Sequence, residues 1–161
     1  GQGNVTVIVD ETADIEDAAK KIKMSKIFDN ATSCSSENSL IIIEEIYNNL
    51  IDCLKKEGAT LLNNEKKKLL EKTLWIEGKL NREVIAKPAK FIADKINLSV
   101  DNDIKILMVE EEGVGSEHLF SGEKLSPILT LYKAKNFDLL SSLCPLKIFL
   151  AFLIFFEVLD T

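Results

Sequence analysis

Residues 5–43 read VTVIVDETADIEDAAKKIKMSKIFDNATSCSSENSLIII, and the fold class follows from how this stretch is divided. Val5 to Val9 is a β-branched run, short enough for one buried strand. Asp14, with Asp17 three residues on, predicts a capped helix start carrying acidic residues in its first turn. Ile15, Ala18, Ala19, Ile22 and Ile27 recur at helical spacing, with Lys20, Lys21 and Lys23 on the other face. A polar, hydroxyl-rich segment from Phe28 to Leu40 follows. Leu40 to Ile43 is then too short and too β-branched for a helix and predicts a second buried strand.

The same alternation continues outward. Ile46, Leu50, Cys53 and Leu54 fit one helix face, with Gly58 placed to close that helix and Cys53 as a small core residue. Gly58 to Leu62 predicts a third strand. Asn64 to Trp75 predicts a charged helix with Leu69, Leu70 and Leu74 as its apolar stripe. Asn81 to Ile96 carries a further helical pattern, in which Pro88 needs a position that uses no backbone N–H, such as a first turn. Ile104–Val109 and Ser126–Tyr132 predict two more strands, and Asn136-Phe137-Asp138 another helix start. Strands and helices alternating over short connections specify an α/β fold, with a mainly parallel sheet flanked by helices.

Composition bounds the function. The chain has 161 residues, 46% apolar and 29% charged, which suits a folded domain with a real core. A net charge of -6 argues against a nucleic-acid surface, and the run Glu65-Lys66-Lys67-Lys68 reads as a solvated helix face. Three widely spaced cysteines, Cys34, Cys53 and Cys144, suggest reduced thiols in a cytoplasmic setting. One histidine, His118, gives a structural zinc site almost nothing to build from. Gly113-Val114-Gly115 lacks the third glycine of a dinucleotide fingerprint and reads as a turn. Ile148 to Phe156 is unbroken apolar but too short to span a bilayer unaided. The chain also opens without Met, directly into a strand, as a fragment would.

Cys34 is the residue to which chemistry points. A cysteine buried for packing has apolar neighbours, whereas this one is flanked by Thr32, Ser33, Ser35 and Ser36. Glu37 and Asn38 stand where a short helical turn would begin, and a thiol at a helix N-terminus is drawn toward thiolate by the backbone dipoles there. The same N–H groups would stabilise an oxyanion on a bound carbonyl. The competing reading is an inert loop cysteine.

Three segments carry a resemblance. GQGNVTVIVDETADIEDAA at the start, FDNATSCSSENSLI around Cys34, and EKLSPILTLYKAKNFD near the end resemble, in order, segments of the CoA-acylating aldehyde dehydrogenases. These include the acetaldehyde and propionaldehyde types and the aldehyde half of bifunctional aldehyde–alcohol dehydrogenases. The resemblance covers residues 1–140 as a partial catalytic domain and leaves 141–161 as an apolar tail outside the pattern. It implies Cys34 as nucleophile, Glu123 as the glutamate that contacts the nicotinamide ribose, and NAD and coenzyme A as cofactors. It further implies a small aldehyde substrate, and full-length relatives that are oligomeric. Thr6 stands where the family usually has proline, which would loosen a turn. The nucleotide-binding domain that precedes this segment in the family has no counterpart here, so the chain alone is expected to be inactive.

Two other readings stay open at this level. One is a cysteine-dependent acyl hydrolase or transferase using Cys34 with His118, for which the sequence places no orienting Asn or Asp. The other is a non-catalytic assembly module docking through the tail, with a membrane the less favoured destination.

Overall fold

The structure, a computed structural model, describes residues 4–135. The apolar tail and the helix start at Asn136 lie outside the described residues. Strand β1 (Val5–Val9) leads through helix α1 (Ile15–Ile27) and a 3-10 turn (Phe28–Ala31) to β2 (Glu37–Ile43). Helix α2 (Glu44–Lys56), β3 (Ala59–Leu61) and α3 (Asn64–Leu74) follow. A small hairpin of β4 (Trp75–Ile76) and β5 (Lys79–Leu80) precedes α4 (Ala89–Lys95), β6 (Ile106–Glu110), a second 3-10 turn (Leu119–Ser121) and β7 (Ile128–Ala134).

The main sheet has the order β1-β2-β7-β6-β3, and every pairing in it is parallel. Parallel sheets need both faces covered, so their strands read as continuous apolar runs. In β6 this is explicit: Ile106 and Met108 join a core with α1 and α2, while Leu107 and Val109 join a core with α3 and α4. The expected α/β architecture is therefore the observed one.

Local chemistry explains the element ends. The Asp14 carboxylate accepts from Asp17 N–H at 3.1 Å and caps α1. Gly58 has φ +90, and a Cβ there would fall 2.9 Å from Lys105 Cγ, so α2 ends on glycine. The helical pattern from Asn81 to Ile96 is realised only from Ala89. Pro88, at φ -58 and ψ 151, stands immediately before α4, and Ala86 at φ +60 breaks the chain earlier. Leu69, read as part of the α3 stripe, is exposed, and Leu70 and Leu74 alone carry it. Sequence reading missed the β4–β5 hairpin; its turn uses Glu77 and Gly78, both at positive φ. The lysine run is only partly a solvated face: Lys66 donates to Ile96 and Asn97 carbonyls, and Lys67 pairs with Glu111 at 3.0 Å.

Two departures concern β1 and α1. Thr6 lies inside β1 rather than in a turn, beside a register shift between Val5 and Thr6. It is buried, and its Oγ1 has no hydrogen-bond partner among the described residues. In α1, Ile27 is exposed while Lys26, one position earlier, is 1% exposed. Burial lowers the Lys26 pKa from an ordinary 10.5 to about 7, against the opposing pull of the Glu37 carboxylate.

Both departures are testable. Thr6→Val removes a buried hydroxyl, unpaired among the described residues, at nearly constant volume and is expected to raise the unfolding free energy by about 1 kcal/mol, seen as a higher denaturant midpoint; an unchanged or lowered midpoint contradicts this. For Lys26, the unfolded chain holds a proton between pH 7 and 10.5 that the folded chain has released. Stability from this group therefore rises with pH across that window, by at most ~1.4 kcal/mol per unit, and is lost as pH falls toward 7. Unfolding curves at pH 7 and 9 should show the wild type gaining relative to Lys26→Met; parallel behaviour would refute the buried-lysine account.

Candidate functional site

The segment around Cys34 is a strand entrance rather than a helix entrance. Ser36 N–H donates to Ser33 O at 3.0 Å, closing a turn over Cys34 and Ser35, and β2 begins directly at Glu37. The helix expected at Glu37 and Asn38 does not form. Glu37 pairs with Val5 of β1 and the ladder to β7 opens at Ser39, so the chain is already extended here. No helix dipole acts on the sulfur from that direction.

Cys34 itself is exposed, as its polar neighbours require. Its turn is held from both sides. Upstream, Asp29, Asn30 and Ala31 have positive φ, and Thr32 binds back to Asp29 through both its N–H (3.2 Å) and its hydroxyl (2.9 Å to the carbonyl, with a further bond to the carboxylate). Asp and Asn tolerate that backbone region better than most residues. Across the turn, the Ser33 and Ser35 hydroxyls lie 2.8 Å apart. Downstream, Lys26 Nζ donates to Glu37 O at 2.7 Å. Cys53 is half-buried on α2 and packs on the first core, as its spacing predicts.

Glu123 stands in the connection entering β7 and is half-buried. Because β2 and β7 are parallel neighbours, with Ser39 opposite Thr130, the residues preceding each strand share one end of the sheet. One side chain joins the two connections directly. The buried Asn38 accepts from Lys124 N–H at 3.1 Å through Oδ1, and its Nδ2 reaches Ser36 O at 3.5 Å. Asn4 adds a second tie, donating to Ser121 O at 3.0 Å. Cys34 and Glu123, read from separate motifs, thus flank a common hydrogen-bonded junction.

The same end holds a concentration of unsatisfied polar atoms. Asn4 Oδ1, Thr6 Oγ1, Ser36 Oγ, Glu37 Oε2 and Ser39 Oγ are buried and have no partner among the described residues. All lie at, or one residue before, the starts of β1 and β2. Each uncompensated group costs about 1–3 kcal/mol, a burden that folds concentrate where polar groups serve a ligand or a further layer of chain.

His118 lies elsewhere. Its Nδ1 is 3.1 Å from Glu111 Oε1, and a Cβ on Gly113 would fall 2.0 Å from its Nε2, so the ring occupies space that only glycine leaves open. Burial works to raise the Glu111 carboxyl, but hydrogen bonds from Lys67, Glu112 N–H and His118, with the Lys67 charge, outweigh it and hold it below the usual carboxylate range. Sequence reading missed this orienting acid, hidden in a run of three glutamates. No hydrogen bond links His118 to Cys34 among the described residues. Those residues also contain no cluster of three or more His, Cys, Asp or Glu fit to hold a metal ion, and no helix long and apolar enough to cross a membrane.

No family model matches the chain. Individual proteins do. Over 139 residues it is 45% identical to the acylating sulfoacetaldehyde dehydrogenase of Cupriavidus necator, an alignment covering 85% of this chain and 28% of that protein. An acetylating aldehyde dehydrogenase from Geobacillus thermoglucosidasius superimposes with a TM-score of 0.89 at 37% identity, covering 93% of this chain and 33% of that one. Rhodopseudomonas palustris propionaldehyde dehydrogenase, solved with bound CoA and an acylated cysteine, gives 0.80 at 32% identity over 98% of this chain and 37% of its own. The chain thus spans between 28% and 37% of the length of these proteins. In sequence and in fold it is the counterpart of one part of the CoA-acylating aldehyde dehydrogenases.

Proposed function

We propose that Cys34 is the nucleophile of a CoA-acylating aldehyde oxidation and that Glu123 is the carboxylate that meets the nicotinamide ribose. The observation that carries this reading is the Asn38 junction, which ties the thiol-bearing turn to the segment bearing Glu123. A carboxylate one residue from Lys124, at the end of the sheet that carries the reactive sulfur, fits a dinucleotide whose nicotinamide must reach that sulfur.

The chain's own residues then act as follows. The Cys34 thiolate adds to the aldehyde carbon, forming a C–S bond and placing the electron pair on oxygen. The backbone N–H of Cys34 donates to that oxyanion. A bound NAD would supply the hydride acceptor, and loss of hydride from the adduct would leave a thioester on Cys34. The CoA thiolate attacks the thioester carbonyl, the bond to Cys34 breaks, and acyl-CoA leaves with the cysteine restored as thiolate. The hydroxyl-lined turn leaves the sulfur open to both substrates. A hydrolase using His118 is not favoured, because the imidazole is held by Glu111 without a bond to the sulfur and the relatives are acylating dehydrogenases.

Supplied with aldehyde, CoA and NAD, the 161-residue chain is expected to give no steady NADH production. On this reading Glu123 is the one carboxylate among the described residues that meets the dinucleotide, whereas positioning of reactants is worth roughly 7–11 kcal/mol of barrier. Sulfoacetaldehyde, named by the Cupriavidus relative, is the first aldehyde to try. The nucleophile is tested without NAD, by running transthioesterification backwards. Incubation with propionyl-CoA should place a propionyl thioester on Cys34, read by peptide mass spectrometry and absent in Cys34→Ser. Acylation no greater at Cys34 than at Cys53 would end this reading.

A further inference from the structure

Lys26 is a charge-bearing side chain that the reaction above does not use, held where lysine is rarely found. It is 1% exposed, and its Nζ donates to the carbonyl of Glu37, the first residue of β2. Glu37 is itself buried, and its Oε2 has no partner among the described residues. Desolvating an ammonium is costly, and an apolar residue of similar volume is often at least as stabilising in such a place. Position gives the lysine a purpose. Lys26 sits in the last turn of α1, and its bond to Glu37, eleven positions on, closes the excursion that contains the Cys34 turn.

The excursion has two posts. The upstream post is the Asp29–Thr32 set of bonds, and the downstream post is the Lys26–Glu37 bond. Between them, among the described residues, the turn is closed by Ser36 N–H to Ser33 O, by Asn38 Nδ2 to Ser36 O and by hydroxyl contacts that water can replace. We propose that Lys26 is a positioning residue for Cys34, fixing the start of β2 so that the sulfur and its own backbone N–H hold the geometry that oxyanion formation needs. The inference rests on Cys34 being the nucleophile. It adds that the helix end, and not only the serine turn, sets the sulfur's competence. The low proton affinity of the buried amine does not weaken the post, since a neutral amine still donates to a carbonyl.

Two reactions of the same sulfur separate position from exposure. Alkylation by iodoacetamide displaces iodide at a saturated carbon and needs no oxyanion. Acylation by p-nitrophenyl acetate forms the Cys34 thioester as the bond to p-nitrophenolate breaks, passing through a tetrahedral oxyanion. Both are read on the full chain by peptide-resolved mass spectrometry, with Cys53 as the control within each molecule. In Lys26→Met, acylation of Cys34 should fall at least tenfold while its alkylation stays within about threefold and Cys53 alkylation is unchanged. Lys26→Arg, which keeps a donor, should recover most of the acylation. If Lys26→Met exposes Cys53, the double variant Lys26→Met/Glu37→Gln, which leaves no unpaired buried charge, takes its place with the same expectation. Equal acylation in variant and wild type, or acylation and alkylation falling together, would reduce Lys26 to a packing residue. Wild-type Cys34 acylating no faster than Cys53 would instead remove the nucleophile, and this inference with it.

Discussion

The pairing of β2 with β7 is the constraint from which the rest of the arrangement follows. All seven residues of β2 are buried, and six of seven in β7, so neither strand can slide by one residue without moving an apolar face or a polar side chain into the wrong layer. Ser39 is held opposite Thr130 and Ile43 opposite Ala134. Whatever precedes these strands is consequently delivered to fixed places at one end of the sheet. The turn before β2 carries Cys34, and the connection before β7 carries Glu123. The Asn38 bond to Lys124 N–H then takes up a backbone donor that the junction would otherwise leave buried.

Polarity is distributed unevenly over this frame. The carboxyl half of β2, Leu40 to Ile43, sits in a closed hydrocarbon core. Its amino half, Glu37 to Ser39, is equally buried but polar, and β1 repeats the arrangement with Asn4 and Thr6 ahead of Val7 to Val9. A fold selected for stability alone would place apolar side chains there, since burying an unpaired hydroxyl or carboxylate oxygen is unfavourable. The unsatisfied atoms and the buried Lys26 occur together beside the one exposed thiol among the described residues. Local strain and unmet polarity concentrated at one place are the physical signs of a site that serves something other than folding.

Much of this was legible in the sequence, for reasons that can be named. Runs such as Val5–Val9 and Ile104–Val109 show strands because both faces of a parallel sheet are covered and no alternation dilutes the pattern. Asp14 shows a helix start because its carboxylate has a specific N–H to bind. Helix phase was less legible. Ile27 and Leu69 satisfy the spacing but project past the core, while Lys26 satisfies no apolar pattern and is fully buried. The hairpin at Trp75–Leu80 and the orienting role of Glu111 left no periodic signal, because two-residue strands and a carboxylate within an acidic run have no pattern of their own. At the site, the composition around Cys34 gave its exposure correctly. The polar residues after it suggested a helix, because residues good at capping helices also serve in tight turns at a strand entrance.

The position of the site within the fold bears on how such sequences are read. In open α/β sheets, ligands generally gather outside the carboxyl ends of the strands. In this chain that end holds Glu44, Glu110 and the Gly113–Gly115 turn, a conspicuous acidic and glycine-bearing set. The chemistry argued above lies at the opposite end, ahead of β2 and β7. A reading from fold alone would have searched among the glutamates and passed over a cysteine between serines. Fold class limits where connections run, but reactivity belongs to particular side chains and to the backbone groups that hold them. In this chain a thiol too exposed to be packing marks the site, the strand after it fixes its turn, and the sheet sets only where that turn lies.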